Sequence, residues 1–139
     1  LCEYFDTMKI SQPIELILIA PWTDVTFSNN EIEKYQKLDP RNNTSQGKVW
    51  GEFWSNGDVN NYKVSPIFGC LKGLKSITII IGTHDILYPD AVKLRNKLDD
   101  VKVKNKFILA EKMNHVYPVY PIPEAKQAVK EICSIINSV

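Results

Sequence analysis

Two residues stand where strands would end and chemistry would begin. Asp85 closes the run S-I-T-I-I-I-G-T-H-D (76–85), and His115 follows N-K-F-I-L-A-E-K-M-N (105–114). In open α/β sheets, reactive groups collect just beyond the carboxyl ends of strands. A carboxylate and an imidazole in adjacent loops of that kind form a natural pair. Asp85 accepts a hydrogen bond from one ring nitrogen of His115, which fixes the tautomer and stabilises the imidazolium. The other ring nitrogen is then free to act as a general base. A serine nucleophile for that base needs the sharp G-x-S-x-G turn, and none of Ser11, Ser28, Ser45, Ser55, Ser65, Ser76, Ser134 or Ser138 lies in one. Two His and one Asp (His84, Asp85, His115) also suggest a metal site. However, neighbours within one loop rarely converge, and no H-x-H or H-E-x-x-H spacing exists. His84 is therefore read as pointing elsewhere, and no metal or other cofactor is expected.

The elements that must position this pair follow from hydrophobic patterning. Residues 1–9 read as the tail of a helix, with Leu1, Tyr4, Phe5 and Met8 on one apolar face. Residues 14–20 (I-E-L-I-L-I-A), 76–82 (S-I-T-I-I-I-G) and 105–110 (N-K-F-I-L-A) are nearly continuous apolar runs. Such runs fit strands covered on both faces, as in a parallel sheet. A helix over 90–100 starts at Asp90 as its N-cap, with a supporting role near the Asp85 loop as the other reading. Another starts at Pro123, with Ala125, Ala128, Val129, Ile132, Ile135 and Ile136 as its stripe. Residues 21–63 differ in kind: rich in Asn, Asp, Ser and Gly, with short helices over 31–38 and 48–54. That is too long for a simple crossover, so 29–63 is read as a cap-like insertion. The order implies an α/β fold of three parallel strands with flanking helices.

Composition narrows the function. The 139 residues carry 17 Lys+Arg and 16 Asp+Glu, and 44% are hydrophobic. A net charge of +1 lacks the basic excess that nucleic-acid binding needs, and Lys102, Lys104 and Lys106 read as a solvated approach to a strand. The apolar runs are far short of the ~20 residues of a membrane span. Cys2, Cys70 and Cys133 are an odd, widely spaced set, read as buried inert thiols in a reducing, cytoplasmic compartment. The chain begins at Leu1 rather than Met, has the length of one domain, and reads as a piece of something longer.

Four segments carry a resemblance: A-P-W-T-D (20–24), V-S-P-I-F (64–68), G-T-H-D-I-L-Y-P-D-A (82–91) and M-N-H-V-Y (113–117). Together they resemble the C-terminal half of α/β-hydrolases of the hormone-sensitive-lipase-like esterase family. The family's G-x-x-D-x-L segment puts its catalytic acid at Asp85, and its M-x-H-x-aromatic segment puts its base at His115. Where the family often has a glycine before M-x-H, this chain has Lys112. Trp22, Trp50, Phe53 and Trp54 suit plain core; by the resemblance the insertion covers the acyl pocket, and Trp22 and Trp54 are assigned to its lining. In that fold the order is Ser, then Asp, then His, so the nucleophile and oxyanion loop belong upstream.

The resemblance thus implies the acid-and-base part of a carboxylic-ester hydrolase (esterase or lipase) acting on small-molecule esters. Its expected partner is the missing N-terminal half, because strand 14–20 otherwise leaves an apolar edge open to self-pairing into a homo-oligomer. Alone, the chain is expected to be inactive. The alternative is a non-catalytic hydrolase-fold binding module.

Overall fold

A computed structural model describes residues 1–138. Three parallel strands, β1 (Leu16–Ile19), β2 (Ser76–His84) and β3 (Lys104–Asn114), lie in the order β1-β2-β3. Five helices accompany them: α1 (Cys2–Thr7), α2 (Ile32–Gln36), α3 (Thr44–Ser55), α4 (Tyr88–Asp100) and α5 (Pro123–Ile136). Among the described residues no helix is long and apolar enough to cross a membrane.

The central strand explains its own composition. Side chains alternate across a strand, so a strand buried on both faces is apolar at nearly every position; the exception in β2 is buried Thr78, whose hydroxyl donates to Glu15 Oε1 at 2.8 Å. Ile77, Ile79 and Ile81 pack with Leu16, Leu18 and Phe107 on one face, under Ala91, Leu94 and Leu98 of α4. Ile80 packs with Ile17, Ile19 and Ile108 on the other, under Ala128 and Ile132 of α5. Phe27, Ile32 and Ile67, from the long β1–β2 connection, join α4 on the first face. That connection is anchored to the body of the fold by its own apolar side chains.

The strands and α2 keep their expected places with shifted ends: β1 is shorter than 14–20, α2 shorter than 31–38, and β3 runs four residues past Ala110. Several expectations are corrected. Asp90 does not cap α4; the helix starts two residues earlier, at Tyr88-Pro89, and Asp90 is buried in its first turn. There Asn29 Nδ2 donates to Asp90 Oδ1 at 2.9 Å. Burial raises the Asp90 pKa, Asn29 lowers it, and the charge of Asp24 raises it further. The 48–54 helix starts at Thr44, because Asn43 Oδ1 caps the backbone N–H groups of Ser45 and Gln46. Its aromatic residues are not core: Trp50, Phe53 and Trp54 are exposed, and Gly47, Gly51 and Ser55 face inward. A Cβ on Gly51 would lie 2.6 Å from the Val25 carbonyl oxygen, so the helix approaches through its glycines. The cysteines are not buried either: Cys70 and Cys133 are exposed and Cys2 is half-buried. In the α5 stripe only Ala125 and Ala128 are buried, and Val129 and Ile136 are exposed.

In α1 the expected apolar face is exposed at Leu1, Tyr4 and Met8, and Glu3 is the buried residue. Burial pushes the Glu3 carboxyl up to about 7, against the opposing pull of Lys97. A carboxyl raised in the folded state favours folding at acid pH and loses that contribution as pH rises through the folded value. Glu3→Gln is therefore expected to stabilise the chain at pH 8, by roughly 1–3 kcal/mol, and to change little at pH 4. Thermal melts at the two pH values measure the difference.

Candidate active site

Strand register brings the sequence-assigned pair together. The β2–β3 ladder keeps one register from Ser76↔Lys104 to Gly82↔Ala110, then resumes at His84↔Asn114 after a shift. Over that interval β3 uses two more residues than β2. Asp85 and His115, each one residue past the last pair, therefore leave the sheet side by side. The Asp85 Oδ2–His115 Nδ1 distance is 2.9 Å. A carboxylate can only accept, so Nδ1 carries the proton and Nε2 presents its lone pair. Asp85 is fully buried, while a quarter of the His115 side chain is exposed. One partner is shielded and the other can be reached.

The shift is built into the backbone. Lys112 takes φ +60°, the left-handed region that glycine favours, and its N–H donates to Thr83 Oγ1 at 2.7 Å. Lys112 thus adopts a glycine-like conformation despite its Cβ. Val116, directly after His115, has φ +50°, rare for a β-branched residue and a mark of backbone strain. At Gly82 a Cβ would sit 2.0 Å from the Met113 carbonyl oxygen. The bulge therefore lies on the bare backbone of β2.

The acid loop is fastened from two sides. Asp85 Oδ1 accepts from Leu87 N–H at 2.9 Å, and the Tyr88 N–H closes the turn onto the Asp85 carbonyl. Ile86 N–H donates at 3.1 Å to Asp39 Oδ2, 47 residues earlier in the chain. Asp39 also accepts from the backbone N–H groups of Arg41 and Asn42 and from Asn42 Nδ2. Asp39 thus ties the β1–β2 connection to the loop that aims Asp85. Sequence reasoning missed it; the local signal was an Asp-Pro turn, which says nothing about a distant partner. Asp39→Ala leaves these donors without an acceptor and is expected to cost about 2–4 kcal/mol, measured by urea unfolding.

His115 opens into a cavity of about 270 Å³. Trp22, Phe27, Ile86 and Leu87 form its apolar side, and Arg41, Asn42, Asn43, Gln46 and Trp50 complete the wall. Trp22 is held by its indole N–H, which donates to the Asp24 carbonyl at 2.8 Å. Burial raises the Asp24 carboxyl pKa, but hydrogen bonds from Thr26 and Ser28 outweigh it and leave a net lowering. Trp54 is 78% exposed and lies outside this lining, where Trp50 stands instead. His84 contributes no side-chain hydrogen bond to the pair. Among the described residues no three His, Cys, Asp or Glu side chains are grouped as a metal ion would need.

A three-stranded parallel sheet flanked by helices defines a fold class, and sequence comparison agrees with it. Residues 2–119 match the family described as alpha/beta hydrolase fold, and the chain belongs to that family. Among its relatives is an esterase of Acinetobacter venetianus, 28% identical over 130 residues, covering 91% of this chain and 43% of the relative. The crystal structure of an esterase/lipase from an uncultured bacterium superposes with a TM-score of 0.91 at 26% identity, over 99% of this chain and 47% of that one. An esterase from the bacterial hormone-sensitive lipase family shares the fold with a TM-score of 0.94 at 20% identity, over 99% and 47%. The chain spans less than half the length of each of these relatives.

Proposed function

We propose that this chain supplies the acid, Asp85, and the base, His115, of a serine carboxylic-ester hydrolase whose nucleophile lies outside these 139 residues. The observation that carries the reading is the Asp85–His115 hydrogen bond at the mouth of a cavity lined by Trp22. In this reading a serine Oγ attacks the ester carbonyl while His115 Nε2 takes its proton. Asp85 holds the ring and stabilises the imidazolium. His115 then gives the proton to the leaving alcohol, and the acyl-enzyme is hydrolysed by a water that His115 activates. Residues 29–63 act as a cap over the acyl side, and a volume near 270 Å³ suits short acyl groups. Three free thiols, two of them exposed, support a cytoplasmic location.

The test uses the full-length gene product with p-nitrophenyl butyrate and a fluorophosphonate probe. Turnover is expected, with the probe on a serine outside residues 1–139, and the 139-residue chain alone is expected to show none. Ester binding without turnover, and no labelled serine, would favour a non-catalytic hydrolase-fold binding module instead.

A further inference from the structure

Arg41 is exposed on the wall of the cavity it shares with His115, and its guanidinium is not paired with an acid. Among the described residues the ion pairs are Lys34–Glu31 and Lys106–Glu131, and neither these nor the His115–Asp85 hydrogen bond involves Arg41. The acid nearest in sequence, Asp39, is already engaged by four N–H donors, one of them the backbone N–H of Arg41. The Arg41 guanidinium carbon lies 5.1 Å from the centroid of the Tyr120 ring. A cation at that distance from an aromatic ring is attracted to it without using its N–H donors, and among the described residues the Arg41 side chain donates no hydrogen bond, so those donors are free for an anion. The start of α3 borders the same cavity, but its first-turn amides are spent: Thr44 N–H donates to Gln36, and those of Ser45, Gln46 and Gly47 donate to Asn43. The free anion receptor on this wall is therefore the arginine. Its position relative to the acid loop is fixed, because Asp39 holds the Arg41 and Ile86 backbones together.

We propose that Arg41 makes the site selective for short esters that carry a carboxylate at the far end of the acyl chain. The inference rests on the ester-hydrolase reading above. Trp22, Phe27 and Leu87 contact the intervening methylenes, and the guanidinium takes the carboxylate through paired N–H···O bonds.

The test compares mono-p-nitrophenyl glutarate with p-nitrophenyl pentanoate, matched in chain length, on the full-length enzyme. The wild type is expected to favour the glutarate ester in kcat/KM. Arg41→Gln is expected to lower the glutarate-to-pentanoate ratio by about 10–100-fold, and Arg41→Lys by less. A wild type that turns over pentanoate with no preference for the charged ester, or a ratio unmoved in Arg41→Gln, overturns the inference and leaves the hydrolase reading standing. Free glutarate, titrated by calorimetry into wild type and Arg41→Gln, separates the two claims. Glutarate bound by wild type and lost in the variant, with no ester hydrolysed, supports the anion site and sinks the hydrolase reading.

Discussion

His115→Ala in the full-length protein is expected to lower kcat for p-nitrophenyl butyrate by about 10⁴–10⁶-fold, with KM nearly unchanged. The reasoning is geometric. Nε2 of His115 is the ring nitrogen not engaged by Asp85, and the His115 side chain lines the cavity and is a quarter exposed. Removing the ring removes proton transfer in the transition state but little ground-state contact, so the loss falls on kcat. Asp85→Asn is expected to cost a comparable factor for a different reason. An amide can donate to Nδ1, which leaves the proton on Nε2, the wrong nitrogen for a base. The two losses should not add, because both residues serve one proton transfer. The double variant should sit near the worse single variant. Near-ultraviolet circular dichroism checks that both variants keep the native packing. A fall of less than tenfold in His115→Ala, with the fold intact, would remove the histidine from the chemistry.

The pair is legible in the sequence because two local signals converge. Each residue follows a strand built round an apolar run: residues 77–81 in β2, which is buried and broken only by Thr78, and residues 107–110 in β3, which is half-buried at the sheet edge. Asp85 and His115 are near each other because β2 and β3 are neighbours, and alternation of strands and helices already implies that. The supports are not legible. Asp39 acts on Ile86 from 47 residues away, and nothing in L-D-P-R specifies that partner. The aromatic spacing of α3 looks like a buried stripe, yet the helix packs through Gly47 and Gly51. Aromatic periodicity reports amphipathicity without saying which face is covered, and two glycines at i, i+4 let a helix approach more closely than an aromatic face does. Asp90 carries a similar ambiguity. Tyr88-Pro89-Asp90 allows a start at the proline or a cap at the aspartate, and burial of the carboxylate against Asn29 decides for the first. Lys112 shows the opposite case. Its glycine-like backbone can be anticipated only because glycine often occupies that place in the family the chain resembles.

Gly82→Ala is expected to be the most damaging single-carbon change outside the Asp85–His115 pair. The added Cβ would meet the Met113 carbonyl oxygen at 2.0 Å and its carbon at 2.5 Å. Both are backbone atoms of a paired strand, so no rotamer change relieves the clash. Restoring ordinary contact requires the bulge to move by about 1 Å, and His115 begins two residues after Met113. A displacement of that size at a catalytic base costs on the order of 10²-fold in kcat. The clash should also cost roughly 2–4 kcal/mol of stability, measured by urea unfolding. Gly57→Ala is the control. Gly57 has φ +85°, and a methyl group added there would find nothing within 4 Å, so alanine is strained but meets no neighbour. It should cost about 1 kcal/mol and leave kcat alone. If the two variants lost similar stability and both kept full kcat, the close approach at Gly82 would be a packing detail. If only Gly82→Ala lost activity, the bare backbone of β2 would be what sets the position of His115.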